Sequence, residues 1–176
     1  MRLFHVSEQA DIEEFVPRIP KRDDMDKSVG LVWAVSEWGL NNFFTPRHCP
    51  RVTYCVGEET TPEDIEKFFS SSSRHVVAIE HEWFKRVAEI SLYLYEFNPA
   101  NFYPGDGPGY HISEHTEIPI SLTRIDDMFG RMFERDIEVR ILRNLWNLAD
   151  AVQRSTVRWS LRCMAGAKPR EALLGE

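Results

Sequence analysis

The sequence has no CxxC pair, no internal repeat, no surplus of positive charge and no apolar run near the ~20 residues that a membrane-spanning helix needs. Each absence removes a class of function. Three scattered cysteines, Cys49, Cys55 and Cys163, are too few and too irregular for a disulfide framework or a structural zinc site. The formal net charge of -7 opposes non-specific binding to DNA or RNA, which needs a surplus of Lys and Arg facing the phosphates. The N-terminal stretch MRLFHVSEQADIEEF has no basic region followed by an apolar core, so no secretory leader is expected there. The expected location is cytoplasmic, with no membrane partner.

What is present suits a globular protein. The chain has 176 residues, 43% of them hydrophobic and 28% charged, long enough to bury a core as a single domain over 1–176. Five Trp, five Tyr and eleven Phe supply an aromatic-rich interior or cleft. Two segments read as loops. Pro17 to Ser28 is charged and broken by prolines, and Asn98 to Gly109 (NPANFYPGDGPG) holds three prolines and three glycines around Phe102 and Tyr103.

Between the loops, β-like runs fall at Leu3 to Val6, Leu31 to Val35, Val52 to Val56, His75 to Glu80, Ser91 to Phe97, His111 to Ile120 and Glu138 to Leu142. Helices fit Ser36 to Phe44, Pro62 to Ser70, Glu82 to Glu89 and Asp126 to Glu134. The second of these has Thr61 as cap, Pro62 in the first turn, and Glu63 with Asp64 facing the helix dipole. Leu145, Leu148, Ala149, Val152, Thr156, Trp159 and Cys163 recur at helical spacing, which predicts a long C-terminal helix over about 144–164. That stripe would dock on the domain or on a second copy of the chain, and a mobile tail is expected over 165–176. The fold class expected is α+β, with mostly antiparallel strands and flanking helices.

Four places could carry chemistry. His5 and Ser7 lie two apart on a strand and so point to one face, where both can line a cleft; the plainer reading of His5 is an ordinary strand-end cap. Trp33 and Phe44 are separated by one strand-and-helix unit, which can bring the two rings together as a slot for a flat ligand or simply pack them in the core. The loop Thr45-Pro46-Arg47-His48-Cys49-Pro50-Arg51 sets two arginines between prolines. They suit a phosphate, or else pair with the chain's own carboxylates. Cys49 beside Arg and His is a candidate nucleophile.

The fourth place is Tyr110 to Ile120. On a strand, Glu114 shares a face with Ile112, Thr116, Ile118 and Ile120, and a carboxylate on an apolar face needs a partner or a task. His111, His115 and Glu117 fall on the other face. The two histidines would pair on a metal only on a helix, and Pro119 with the β-branched residues argues for a strand, so no metal is expected.

These pieces resemble the ADP-ribosyltransferase-like fold over roughly Leu3 to Leu142. More closely, HVSEQADIEEFVPR, VWAVS and TPRHCPRV resemble a small uncharacterised bacterial domain family across nearly the whole chain. The transferase resemblance implies that NAD is the substrate. It gives the ribose to His5, the nicotinamide sandwich to Trp33 and Phe44, and the oxocarbenium-like transition state to Glu114, with Glu117 in reserve; Arg47 or Arg51 is expected to hold the diphosphate. In this chain Trp and Phe replace the Tyr pair of those enzymes, which keeps stacking and loses the phenol hydroxyls. The Pro- and Gly-rich segment Asn98 to Gly109 is expected to be a mobile cover over that cleft. The rival expectations are a non-catalytic nucleotide- or phosphate-binding module of the same fold, and an accessory protein assembled through the C-terminal helix.

Overall fold

A computed structural model describes residues 1–20, 25–105, 107 and 109–170. Ten strands follow one another among these residues: β1 (Leu3–Ser7), β2 (Val32–Ser36), β3 (Arg51–Cys55), β4 (His75–Glu80), β5 (Leu92–Phe97), β6 (Tyr103–Pro104), β7 (Tyr110–Ser113), β8 (Ser121–Ile125), β9 (Ile137–Leu142) and β10 (Arg158–Arg162). Four α-helices accompany them: α1 (Pro62–Phe68), α2 (Phe84–Glu89), α3 (Met128–Glu134) and α4 (Trp146–Gln153). The α+β class is as expected. No helix among the described residues is long and apolar enough to cross a membrane.

The chain forms two compact units, each made of two separate segments. The first takes Met1–Phe43 and Ser91–Ile125 and carries a sheet in the order β6-β7-β2-β1-β5-β8, antiparallel throughout. On one face Leu3, Val32, Ala34 and Phe97 form a core, with Phe15 and Phe102 packed on it. Tyr95 ties the segment after β1 to this face: its hydroxyl donates to the Gln9 carbonyl at 2.7 Å and accepts from the Ile12 amide at 3.1 Å.

The second unit takes Phe44–Ile90 and Asp126–Glu176 and carries the order β10-β3-β4-β9. Here β3 pairs antiparallel with β10 and β4, while β4 and β9 run parallel. Its larger core joins Val52, Tyr54, Val76 and Ala78 of the sheet to Phe68 of α1 and to Leu145, Ala149 and Val152. The α1 helix begins as expected, with the Thr61 hydroxyl accepting the Asp64 amide at 3.3 Å and Pro62 in the first turn.

Four expectations about local structure are corrected. The helix over 144–164 is instead α4 alone, followed by β10. Helix growth stops because the Ser155 hydroxyl takes the Val152 carbonyl at 2.8 Å. Asp64 Oδ2 then holds both the amide and the hydroxyl of Thr156, at 2.7 and 2.6 Å. Beyond that stop Arg158 to Arg162 pair with β3. Leu145, Ala149 and Val152 are spent on the unit's own core. Trp159 stands 42% exposed on a strand, so no continuous helical stripe exists to assemble copies.

The tail is anchored as far as it is described. Lys168 gives its carbonyl to the Trp146 indole at 2.6 Å, and Arg170 makes a two-pronged pair with Asp150 at 2.6 and 2.9 Å. Residues 171–176 lie outside the described residues.

The strand expected over 111–120 ends at Ser113, where the Ser113 hydroxyl accepts the His115 amide at 3.1 Å. The next strand is β8, after Pro119, which has no amide proton to give a ladder. The helix expected over 36–44 is only a 3-10 turn at Gly39–Asn42, as a Gly-Leu-Asn-Asn run with low helix propensity allows.

Candidate functional site

Register sorts the side chains of the first unit onto two faces, because residues directly opposite in an antiparallel ladder point the same way. Trp33 stands opposite Ile112, and Ile112 opposite Tyr103; one row over, Val35 stands opposite both Tyr110 and Phe4. Trp33, Ile112, Tyr103 and Tyr110 therefore share a face. Leu3 and His5 of β1 point to the opposite face, together with His111 and Ser113 of β7. His5 and Trp33 are neighbours in sequence register yet leave the sheet on different sides.

The Trp33 face is aromatic and open. Trp33 is half-buried and meets the Tyr110 ring edge-on at 6.2 Å; Phe43 meets the same ring at 6.0 Å. Gly109, with φ +81, admits the close approach behind this cluster. Its carbonyl accepts the Ser36 amide at 2.7 Å, and a Cβ there would stand 3.0 Å from the Ser36 hydroxyl and 3.2 Å from the Trp38 ring. At the rim of the face, the exposed Tyr103 hydroxyl donates to Glu114 Oε1 at 2.7 Å. That bond to the exposed carboxylate raises the Tyr103 phenol above its ordinary range. Glu114 thus stands on the side of Ile112, as its alternation with that residue implies, and it is exposed to solvent.

The His5 face is covered. A carbonyl can only accept, so His5 Nδ1 donates to the Trp33 carbonyl at 3.0 Å, and the His5 ring packs against Phe15 at 4.8 Å. Phe15 and Glu117 exchange backbone hydrogen bonds at 2.8 and 3.0 Å, which lays the segment around Glu117 over this face. Glu117 is 5% exposed, and its Oε1 accepts the fully buried Ser113 hydroxyl at 2.5 Å. His111 is buried beside them, and its Nδ1 has no hydrogen-bond partner among the described residues. Ser7 ends β1, where its hydroxyl caps the Gln9 amide at 3.1 Å.

The remaining candidates belong to the second unit. Phe44 is 2% exposed, with the Arg135 guanidinium 5.6 Å from its ring. A ring so enclosed offers no open face for stacking, and within the first unit the aromatic residue grouped with Trp33 and Tyr110 is Phe43. Arg47 is exposed in the turn before β3, and Arg51 is 6% exposed, donating from Nη1 to the Cys49 carbonyl at 3.0 Å. Cys49 is fully buried, and burial pushes its thiol up to about 12 against the opposing pull of Arg51. Burial and the raised thiol both work against an activated Cys49 nucleophile, since the thiolate is the reactive form. Among the described residues, no three His, Cys, Asp or Glu stand together as a metal site.

Sequence reasoning missed Tyr103, Tyr110 and Phe43. One of them had a readable signal: Tyr110, Ile112 and Glu114 alternate at period two, which places Tyr110 on the Glu114 face.

No curated protein and no solved structure matches the chain. A match over residues 4–167 shows that the chain belongs to DUF6886, a family of unknown function.

Proposed function

We propose that this DUF6886 member binds the nicotinamide end of NAD on the aromatic face of its first unit and transfers ADP-ribose from it. The observation that carries the reading is Glu114, a carboxylate held by the Tyr103 hydroxyl at the rim of a surface made by Trp33, Tyr110 and Phe43. A flat cationic ring stacks on such a surface. A carboxylate at its rim opposes the positive charge that develops at ribose C1′ as the bond to the nicotinamide nitrogen breaks. Nicotinamide leaves with the bonding pair, and the acceptor bonds to C1′ and gives up its proton; in a simple assay the acceptor is water.

In this reading His5 is a positioning residue, which fixes β1 to β2 through the Trp33 carbonyl, and Glu117 braces the opposite face. One observation favours the non-catalytic alternative. His5, which the transferase resemblance gives to the ribose, is turned to a backbone carbonyl and packed under Phe15.

Calorimetric titration with NAD tests binding, and release of nicotinamide tests turnover. The expected result is saturable binding with quenched tryptophan fluorescence, retained in Glu114→Gln while turnover falls at least a hundredfold. Turnover lost in Glu117→Gln but kept in Glu114→Gln would move the chemistry to the His5 face. Absence of binding at millimolar NAD would overturn the reading.

A further inference from the structure

Helix α3 of the second unit carries more apolar residues than its own core uses. Met128 and Met132, four apart, are fully buried. Phe129 and Phe133 form a second pair four apart, about 100° further round the same helix. Phe133 stands 84% exposed, and Phe129 is half-buried. The Phe84 ring of α2, itself 49% exposed, stacks on Phe129 with centroids 5.0 Å apart and planes inclined by 23°. Single apolar side chains in water are ordinary, but these three rings adjoin one another across two helices.

The same α2 also carries a groove. Glu82, Lys85, Arg86 and Glu89 recur at helical spacing along α2 and the 3-10 turn that leads into it (His81–Trp83), and with Ile90 they line a groove of about 460 Å³. The stems of Lys85 and Arg86 give it apolar walls beneath their charged ends. Charge here is mixed. Lys85 pairs with Glu89 at 3.9 Å, Arg131 with Glu134 at 2.9 Å, and Lys168 with Glu82 at 3.0 Å. On the two helices and their leading turn, Lys85, Arg86 and Arg131 balance Glu82, Glu89 and Glu134, although the whole chain carries a net charge of -7. Two copies of so acidic a chain repel in general. At this surface they can meet without a net repulsion.

We infer that α2 and α3 form the interface of a symmetric dimer, in which Phe133 of each copy enters the α2 groove of the other. Phe84 stacks towards α3 and is followed by Lys85 of the groove, so it stands between the two features and near the two-fold axis. A surface that carries both a projecting ring and a groove to receive it is complementary to itself, which closes a pair rather than a fibre. Setting α3 against the other copy's α2 brings Arg131 to the partner's Glu89 and Glu134 to the partner's Lys85. A partner of one charge sign would instead meet like charge at half of these positions, which favours a second copy as occupant. Two short helices a side make less than the roughly 800 Å² per partner of a standard interface, so dissociation falls in the micromolar range. This interface does not depend on the nicotinamide reading.

Sedimentation of the full chain is followed from low to high micromolar concentration, without NAD. The expected result is a reversible equilibrium between monomer and dimer. Phe133→Ser, at a position too exposed to support the fold, should weaken the dimer at least tenfold. Glu89→Lys and Arg131→Glu should each weaken it severalfold, and the two together should restore it, which a merely structural role for either residue would not do. Ile120→Ser removes an exposed apolar side chain of the first unit and should dimerise like the wild type. A monomer at every concentration would overturn the inference and leave the patch to a different protein. So would a dimer that Phe133→Ser leaves intact, or one in which the charge-swapped double variant is weaker than both single ones.

Discussion

In the second unit, β4 is buried at all six of its positions; in the first unit, β8 buries only Ile125 out of five. The strands differ because of where they stand. β4 lies between β3 and β9 under helices, whereas β8 is an edge with open faces. A polar side chain therefore has a different meaning in each unit. On the first sheet Trp33, Tyr103 and Glu114 stand near water at little cost to folding, so their grouping is free to serve a ligand. On the second sheet Arg51, His75 and Glu80 are enclosed, and each must be compensated locally.

The comparison predicts unequal responses to truncation. Leu145→Ala, at a fully buried position of the second core, should cost about 3 kcal/mol through lost transfer energy and the cavity left behind. Ile120→Ala, at a position 63% exposed in the first unit, should stay within about 0.5 kcal/mol. Urea unfolding of the two variants checks this, and equal losses would break the contrast.

His75 should make the second unit acid-sensitive. Burial, aided by the nearby charge of Arg135, pushes the imidazole down to about 4 from an ordinary 6.5. The unfolded chain then binds a proton that the folded chain refuses between those two values. Stability is fully present above pH 6.5, falls as pH drops from 6.5 towards 4, and levels off below. The full effect is on the order of 3 kcal/mol. Unfolding of wild type and His75→Gln at pH 7.5 and 5 reads it: the difference between the two pH values should shrink in the variant, and an unchanged slope would remove His75 from the account.

One more substitution sharpens the comparison from the other side. Ser113→Ala leaves the buried Glu117 carboxylate without its hydroxyl donor on the covered face of the first unit. It should cost about 2 kcal/mol. A neutral result would show that water replaces the hydroxyl there and that this face is wetter than its burial implies.

Much of the fold was legible. The runs at Leu3 to Val6, His75 to Glu80 and Glu138 to Leu142, and the capped helix after Thr61, are local patterns that their surroundings did not override. The C-terminal region was not legible in this way, because Leu145, Ala149 and Val152 set a helical period that Trp159 and Cys163 continue by coincidence. What holds the chain beyond the Ser155 stop is Asp64, which lies 92 residues from Thr156 in sequence and can be found only in the fold. The candidate site was half legible. Alternation correctly joined Glu114 to the Ile112 side, but placing Phe44 rather than Phe43 beside Trp33 depended on a helix that is only one turn. Nor did any Pro- or Gly-rich linker mark the two units, since the chain passes between them at 43–44, 90–91 and 125–126 without a change in composition.

Those three passages have a consequence for how the chain can be made and cut. β5 reaches back to β1 across about ninety residues, and the Thr53 hydroxyl bonds to the Ser160 carbonyl 107 residues away. During synthesis neither sheet can close until most of the protein has left the ribosome, so both wait exposed and folding is slow for a chain of this size. No single cut releases either unit whole. A fragment ending at residue 90 carries β1 and β2 without β5, and β3 and β4 without β9 or β10. Neither unit can be made from one continuous stretch of chain, although each has its own core.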